Sequence, residues 1–81
     1  MNPIGQVGVI AFLDWIRRWH PEVRSLRSLS KGEFLRLATS YEGSKGVPIG
    51  PSHQLYRKWE TTHWVFKDSE SDDEALTRLR W

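Results

Sequence analysis

Residues 30–43, which read SKGEFLRLATSYEG, carry the clearest signal for the fold of this chain. Ser30 and Glu33 have the spacing of a capping box, in which each side chain accepts a hydrogen bond from a free backbone N–H at the helix start. Apolar side chains then recur at the spacing of one helix face, at Phe34, Leu37, Ala38 and Tyr41. Gly43 suits the position just past a helix end, so the stretch predicts an amphipathic helix with a defined start and stop.

Further segments with the apolar spacing of helices lie at 4–20, 21–29, 52 onward and 72–81. The apolar arc of 4–20, which runs from Trp15 through Trp19 and Phe12 to Ile10, is wider than the usual stripe. This width predicts a helix at the centre of the domain or, as the alternative, one that contacts a partner. Ser52 is the expected N-cap of the fourth segment. The run HWVF at 63–66 has a strand-like composition, so the sequence leaves open whether it continues that helix.

These segments predict a small all-α domain, a single-domain bundle of four to five short helices with a long Gly/Pro loop over 43–51. The alternative is a mostly helical fold with a short β-hairpin formed by 47–49 and 63–66. The core is expected to contain Val9, Phe12, Leu13, Ile16, Val23, Leu26, Phe34, Leu37, Ala38, Tyr41, Leu55, Trp59 and Leu76.

Charge divides the 81 residues into two parts. Residues 1–67 contain ten basic and five acidic side chains, whereas 68–81 contain two basic and five acidic. We therefore predict a basic helical core domain over 1–67, with an acidic connection and a C-terminal helix over 68–81 packed on the same domain. A basic body permits anionic partners, although the overall net charge of +2 is modest.

The sequence predicts neither a membrane span nor a signal peptide. The longest apolar stretch, 7–16, contains Asp14 and is far shorter than the about 20 residues that a spanning helix needs. No basic residue precedes that stretch, and no small-residue cleavage site follows it. We expect no membrane partner and a cytoplasmic location, or a nuclear one in a eukaryote.

Catalytic chemistry finds little support in this composition. The chain has no Cys, which excludes a disulfide framework, a thiol nucleophile and a thiolate metal site. His53 and His63 are separated by about three helical turns, too far apart to share a metal ion. The segment GSKGVPIG lacks the spacing of a phosphate-binding loop. We therefore predict a non-enzymatic protein without catalytic residues, metal or cofactor.

Nucleic-acid binding is the first functional hypothesis, because basic and aromatic side chains alternate in two segments, 15–19 and 56–64. Basic side chains can neutralise phosphates, and aromatic rings can stack on unpaired bases. The order of the helices resembles a trihelical DNA-binding unit, with the helix over 30–43 as support and the next as reader. The connection between these two helices has about nine residues rather than the usual 3–4, so the helix-turn-helix motif predicted here has an elongated turn. The predicted contacts are phosphate contacts from Arg57 and Lys58, base-edge contacts from His53 and Gln54, and further backbone contacts from Arg17, Arg18 and Lys45. The expected role is a small regulatory module, with DNA preferred over RNA.

Protein binding is the alternative hypothesis, because five Trp in 81 residues exceed what a domain of this size needs for its core. Tryptophan is enriched among the residues that dominate binding energy at interfaces. Trp15, Trp64 and Trp81 lie at the edges of the apolar faces or outside them. These residues predict an adaptor or inhibitor that occludes a larger protein, with the acidic tail assisting and a homodimer through the N-terminal helix as a further option.

Overall fold

A computed structural model of the protein describes residues 6–79, with side chains from residue 8 onward. That part of the chain contains the α-helices α1 (Gln6–Trp19), α2 (Lys31–Ser44), α3 (Gln54–Asp68) and α4 (Asp72–Leu79), and a 3-10 helix (Leu26–Ser28). The prediction of an all-α domain is confirmed. The β-hairpin alternative is wrong, because 47–49 forms no strand and 63–66 lies inside α3.

The segment 21–29 does not form the short helix that its spacing predicted. Only the single 3-10 turn Leu26–Ser28 forms there, between Ser25 and Leu29, which both have extended backbone. A helix this short cannot repay the cost of its nucleation through its own hydrogen bonds. The turn is held from outside instead, because the carboxylate of Asp72 accepts the backbone N–H groups of Leu26 and Arg27 at 3.1 and 3.3 Å.

Helix α2 begins with the predicted capping box on Ser30 and Glu33, but it ends later than expected. Gly43 remains helical, and the residue with positive φ is Gly46, at 82°. The N–H of Gly46 donates to Gly43 O and the N–H of Val47 donates to Glu42 O, which is the Schellman pairing of a helix C-terminus. The connection to α3 therefore covers residues 45–53 rather than 43–51.

Helix α3 begins one residue later than predicted and continues without a break through the doubtful run at 63–66. Its N-cap is His53 rather than Ser52, and the Nδ1 atom of His53 accepts the N–H of Leu55 at 3.1 Å. The hydroxyls of Thr61 and Thr62 donate to the carbonyls of Arg57 and Lys58, four residues earlier. These bonds satisfy both hydroxyls inside the helix, so two poor helix formers are tolerated.

The core lies where α1, α2 and α3 meet around Phe12. Its ring centroid lies 5.6 Å from that of Phe34, 5.2 Å from Tyr41 and 4.9 Å from Trp59. Most predicted core residues are buried, but Val23, Leu37, Leu55 and Leu76 are only partly buried and pack against the core from outside. The core also includes four residues absent from the prediction: Leu35, Phe66, Ala75 and Leu79.

The acidic segment after α3 is attached to the body through buried polar groups. Ser69 is buried, its carbonyl accepts from Arg27 Nε at 2.8 Å, and its hydroxyl accepts from Arg78 at 3.0 Å. Asp72 also accepts a hydrogen bond from the Ser25 hydroxyl at 2.9 Å. Helix α4, which follows, contacts both α1 and α3.

Candidate nucleic-acid interface

The four binding residues predicted in the third helix lie together at its start. Gln54 and Arg57 are exposed in the first turns of α3, Lys58 is partly exposed beside them, and His53 is the exposed N-cap. Within residues 6–79, neither Arg57 nor Lys58 forms an ion pair with a carboxylate. Two cations and an amide are thus presented to solvent, while one ring nitrogen of His53 is occupied by the cap.

The solvent face of α3 also carries the tryptophan that the alternative hypothesis assigned to protein binding. Gln54, Arg57, Thr61 and Trp64 are all exposed, at the i, i+3, i+7 and i+10 spacing of one helix face. The Trp64 side chain is 58% exposed. The two functional hypotheses therefore use one surface, with Gln54 and Arg57 toward one end and Trp64 two turns beyond Arg57.

A groove between α1 and the end of α2 brings together residues from both predicted sets. It is open to solvent, has a volume of about 390 Å³ and is lined by Ala11, Asp14, Trp15, Arg18, Trp19, Tyr41, Ser44 and Lys45. Three aromatic rings and two cations thus line one concave surface, called here the α1–α2 groove. No hydrogen bond or ion pair between described residues connects the groove with Arg57 or Lys58.

The predicted cations near this groove differ in how far they are neutralised. Arg17 pairs with Asp14 at 3.5 Å, whereas Arg18 has no carboxylate partner within residues 6–79. The Lys45 ammonium lies 3.8 Å from Glu42 and 5.0 Å above the centre of the Tyr41 ring. Arg18 and Lys45 are both exposed, and of the two only Arg18 is free of a carboxylate partner among the described residues.

The tryptophans only partly match their prediction. Trp15 is partly buried, with its ring 6.2 Å from Phe12 and 5.6 Å from Tyr41, so it forms a fixed wall of the groove. Trp19 was expected on the apolar arc of the helix but is 65% exposed. The reason is its place as the last residue of α1, beside the open groove. The expected helix end before Pro21 is present, but the open groove beside the last turn depends on the packing of α1 against α2 and had no signal in the sequence. Trp81 lies outside the described residues.

His63 is buried in α3 and faces the start of α2. Its Nε2 lies 3.2 Å from Leu29 O and must donate because a carbonyl only accepts, which leaves Nδ1 buried without a partner among the described residues. Burial lowers the pKa of His63 from its ordinary value of 6.5, and the positive charges of Lys67 and Lys31 lower it further. The hydrogen bond to Leu29 O raises the pKa but does not offset these effects. The ring is therefore neutral at pH 7, and the side chain contributes to packing rather than to an anion site.

Within the described part of the chain, no three His, Asp or Glu side chains converge as a metal site would require. None of its helices is both long enough and apolar enough to cross a membrane. No known protein family matches the sequence, and neither a curated protein nor a solved structure matches it.

Proposed function

We propose that this protein is a small, non-enzymatic regulatory module that binds nucleic acid, with DNA preferred over RNA. The observation that carries the proposal is the solvent face at the start of α3, where Arg57 and Lys58 project without a carboxylate partner in residues 6–79. Free cations of this kind neutralise phosphates and release the counterions that drive nucleic-acid binding.

The neighbouring polar side chains suit a role in contacting bases or sugars. Gln54 lies one turn before Arg57 on the exposed face, and His53 retains one ring nitrogen beside the cap. In this proposal α3 is the reading helix, and α2 supports it through the nine-residue connection 45–53. Arg18 and Lys45 add backbone contacts from the α1–α2 groove, while Arg17 contributes less because Asp14 already pairs with it.

The test is a charge-matched pair of double variants. Arg57→Ala with Lys58→Ala removes two proposed phosphate contacts, so affinity for a fluorescein-labelled duplex at 50 mM salt should fall at least about tenfold and the salt slope should decrease by about 2. Arg24→Ala with Arg36→Ala removes two exposed cations outside both surfaces and should leave the slope unchanged. Unchanged binding in the first variant would exclude the α3 face as the nucleic-acid contact. Equal losses of affinity in both variants would show that net charge, rather than this face, determines binding.

A second candidate function is favoured by the exposure of Trp64. An indole that is 58% exposed on a charged helix face is the kind of side chain that anchors a protein interface. The protein would then act as an adaptor or inhibitor that occludes a larger protein. Ile10, which is 41% exposed on α1, is the corresponding residue for a homodimer through the N-terminal helix. A loss of partner capture on Trp64→Ala, with nucleic-acid binding unchanged, would favour this candidate.

A further inference from the structure

We infer that the α1–α2 groove binds one unpaired nucleotide of a single-stranded nucleic acid, with the base stacked on Trp19 and its phosphate held by Arg18 and Lys45. The inference rests on the proposed function and deepens it, because it states which form of nucleic acid the protein selects. It also assigns a specific contact to Trp19, which the sequence analysis included only in a run of alternating basic and aromatic side chains.

The shape of the groove favours a single base over a duplex. Its volume of about 390 Å³ is at the small end of ligand sites, enough for one nucleotide. In a duplex the base faces are covered by their neighbours, so an aromatic side chain reaches them only where a base is unstacked. Stacking on aromatic rings beside a basic groove is how proteins bind single strands without requiring a particular sequence.

The aromatic residues divide into a fixed wall and an open one. Trp15 and Tyr41 are held against the core, with Phe12 in contact with both. Trp19 is 65% exposed and lines the groove. A planar ligand that stacks on Trp19 would bury this exposed apolar surface without repacking the core.

The charges at the groove fit a phosphate group. Arg18 and Lys45 line the groove together with one carboxylate, that of Asp14, which already pairs with Arg17 at 3.5 Å. Arg18 has no carboxylate partner within residues 6–79, whereas the Lys45 ammonium lies 3.8 Å from Glu42, so Arg18 is the main phosphate contact and Lys45 the weaker one. The Lys45 ammonium lies 5.0 Å above the Tyr41 ring, at the boundary between the aromatic wall and solvent. A ligand with a flat apolar part and an attached anion matches this pairing, and a nucleotide has both.

The experiment compares a fluorescein-labelled dT15 strand with a 15-base-pair duplex by fluorescence anisotropy at 50 mM salt. The single strand should bind more tightly, and Trp19→Ala should weaken single-strand binding by about tenfold or more while leaving duplex binding nearly unchanged. Trp19→Phe should restore most of the lost affinity because a ring is retained. Thr39→Ala, which changes an exposed side chain of α2 outside the groove, is the control.

A second variant tests the groove without removing a contact. Ala11 is exposed and lines the groove, so Ala11→Leu should narrow it and lower single-strand affinity while circular dichroism shows an intact helix content. Equal binding of strand and duplex with no effect of Trp19→Ala would overturn the inference and leave the proposed function standing. No binding of either probe would overturn the proposed function itself. If thymidine monophosphate competes with labelled dT15 as well as unlabelled dT15 does at the same concentration, the inferred ligand would be wrong, because a free nucleotide would bind as well as a single strand.

Discussion

Glu42 accepts a hydrogen bond from the indole N–H of Trp59 at 2.5 Å, and both residues are buried. This bond joins α2 to α3 close to the cations of the proposed interface, since Lys45 follows Glu42 by three residues and Lys58 precedes Trp59. The other Glu42 oxygen lies 3.8 Å from the Lys45 ammonium. A buried carboxylate thus positions a core ring on one side and a surface cation on the other.

Replacing Glu42 should therefore destabilise the fold. Glu42→Ala leaves the buried Trp59 N–H without an acceptor, and we expect a loss of about 2–3 kcal/mol in the free energy of unfolding. Glu42→Gln keeps an acceptor oxygen and should lose less. Urea denaturation followed by far-ultraviolet circular dichroism measures both, and equal stability of the wild type and the alanine variant would contradict the role assigned to this bond.

Asp72 should matter far more for stability than its neighbour Asp73, although both lie in the first turn of α4. The Asp72 carboxylate accepts bonds from the Ser25 hydroxyl and from two backbone N–H groups of the 3-10 turn. We expect Asp72→Ala to cost about 1–3 kcal/mol, because these donors lose their partner. Asp73→Ala should cost less than about 1 kcal/mol, the usual size of a helix-dipole interaction. Thermal unfolding at a fixed pH compares them, and equal losses would contradict the anchoring role.

The buried His63 predicts a pH dependence of stability. Its folded-state pKa is lower than the unfolded value, so the unfolded chain takes up the proton first as the pH falls below about 6.5. The stability present above that pH should decrease toward the folded-state pKa. His63→Gln retains a donor for Leu29 O and should flatten this part of the curve. Denaturation between pH 5 and 8 checks the difference, and parallel curves for both proteins would contradict it.

The exposure of Trp64 predicts that its removal leaves the fold intact. Trp64→Ala should change the free energy of unfolding by less than about 1 kcal/mol, because this side chain is largely solvated. Phe66→Ala, two residues later on the buried face, should cost about 3–5 kcal/mol. Unfolding curves of the two variants form the comparison, and a comparable loss in both would place Trp64 in the core.

The helical parts of the fold could be predicted because their signals are local. The capping box of Ser30 and Glu33 and the face that begins at Phe34 depend on spacing alone, and both are present in the structure. The start of α3 was displaced by one residue because a histidine ring, which is an uncommon cap, replaced the expected Ser52. The predicted helix at 21–29 was wrong because a contact distant in sequence determines the structure there. Asp72, 47 residues after Ser25, accepts a hydrogen bond from the Ser25 hydroxyl and holds the 3-10 turn.

The candidate sites were predicted in part for the same reason. Arg57 and Gln54 belong to one helix, so their common face follows from the helical period. The α1–α2 groove depends on how far α2 extends beyond Tyr41 and on how α1 packs against it, and neither can be predicted from one segment alone. Arg18 and Lys45 were proposed separately as backbone contacts, and only the packing of the two helices shows that they line one groove with Trp19.

The most direct test of the proposed function is the salt dependence of nucleic-acid affinity, measured by fluorescence anisotropy with duplex DNA, single-stranded DNA and RNA at 50 and 200 mM salt. If Arg18, Lys45, Arg57 and Lys58 each neutralise one phosphate, affinity should fall about 50- to 150-fold between these two concentrations. Measurable binding at 50 mM with that loss is the predicted result. No binding of any of the three probes at 50 mM salt would contradict the proposal.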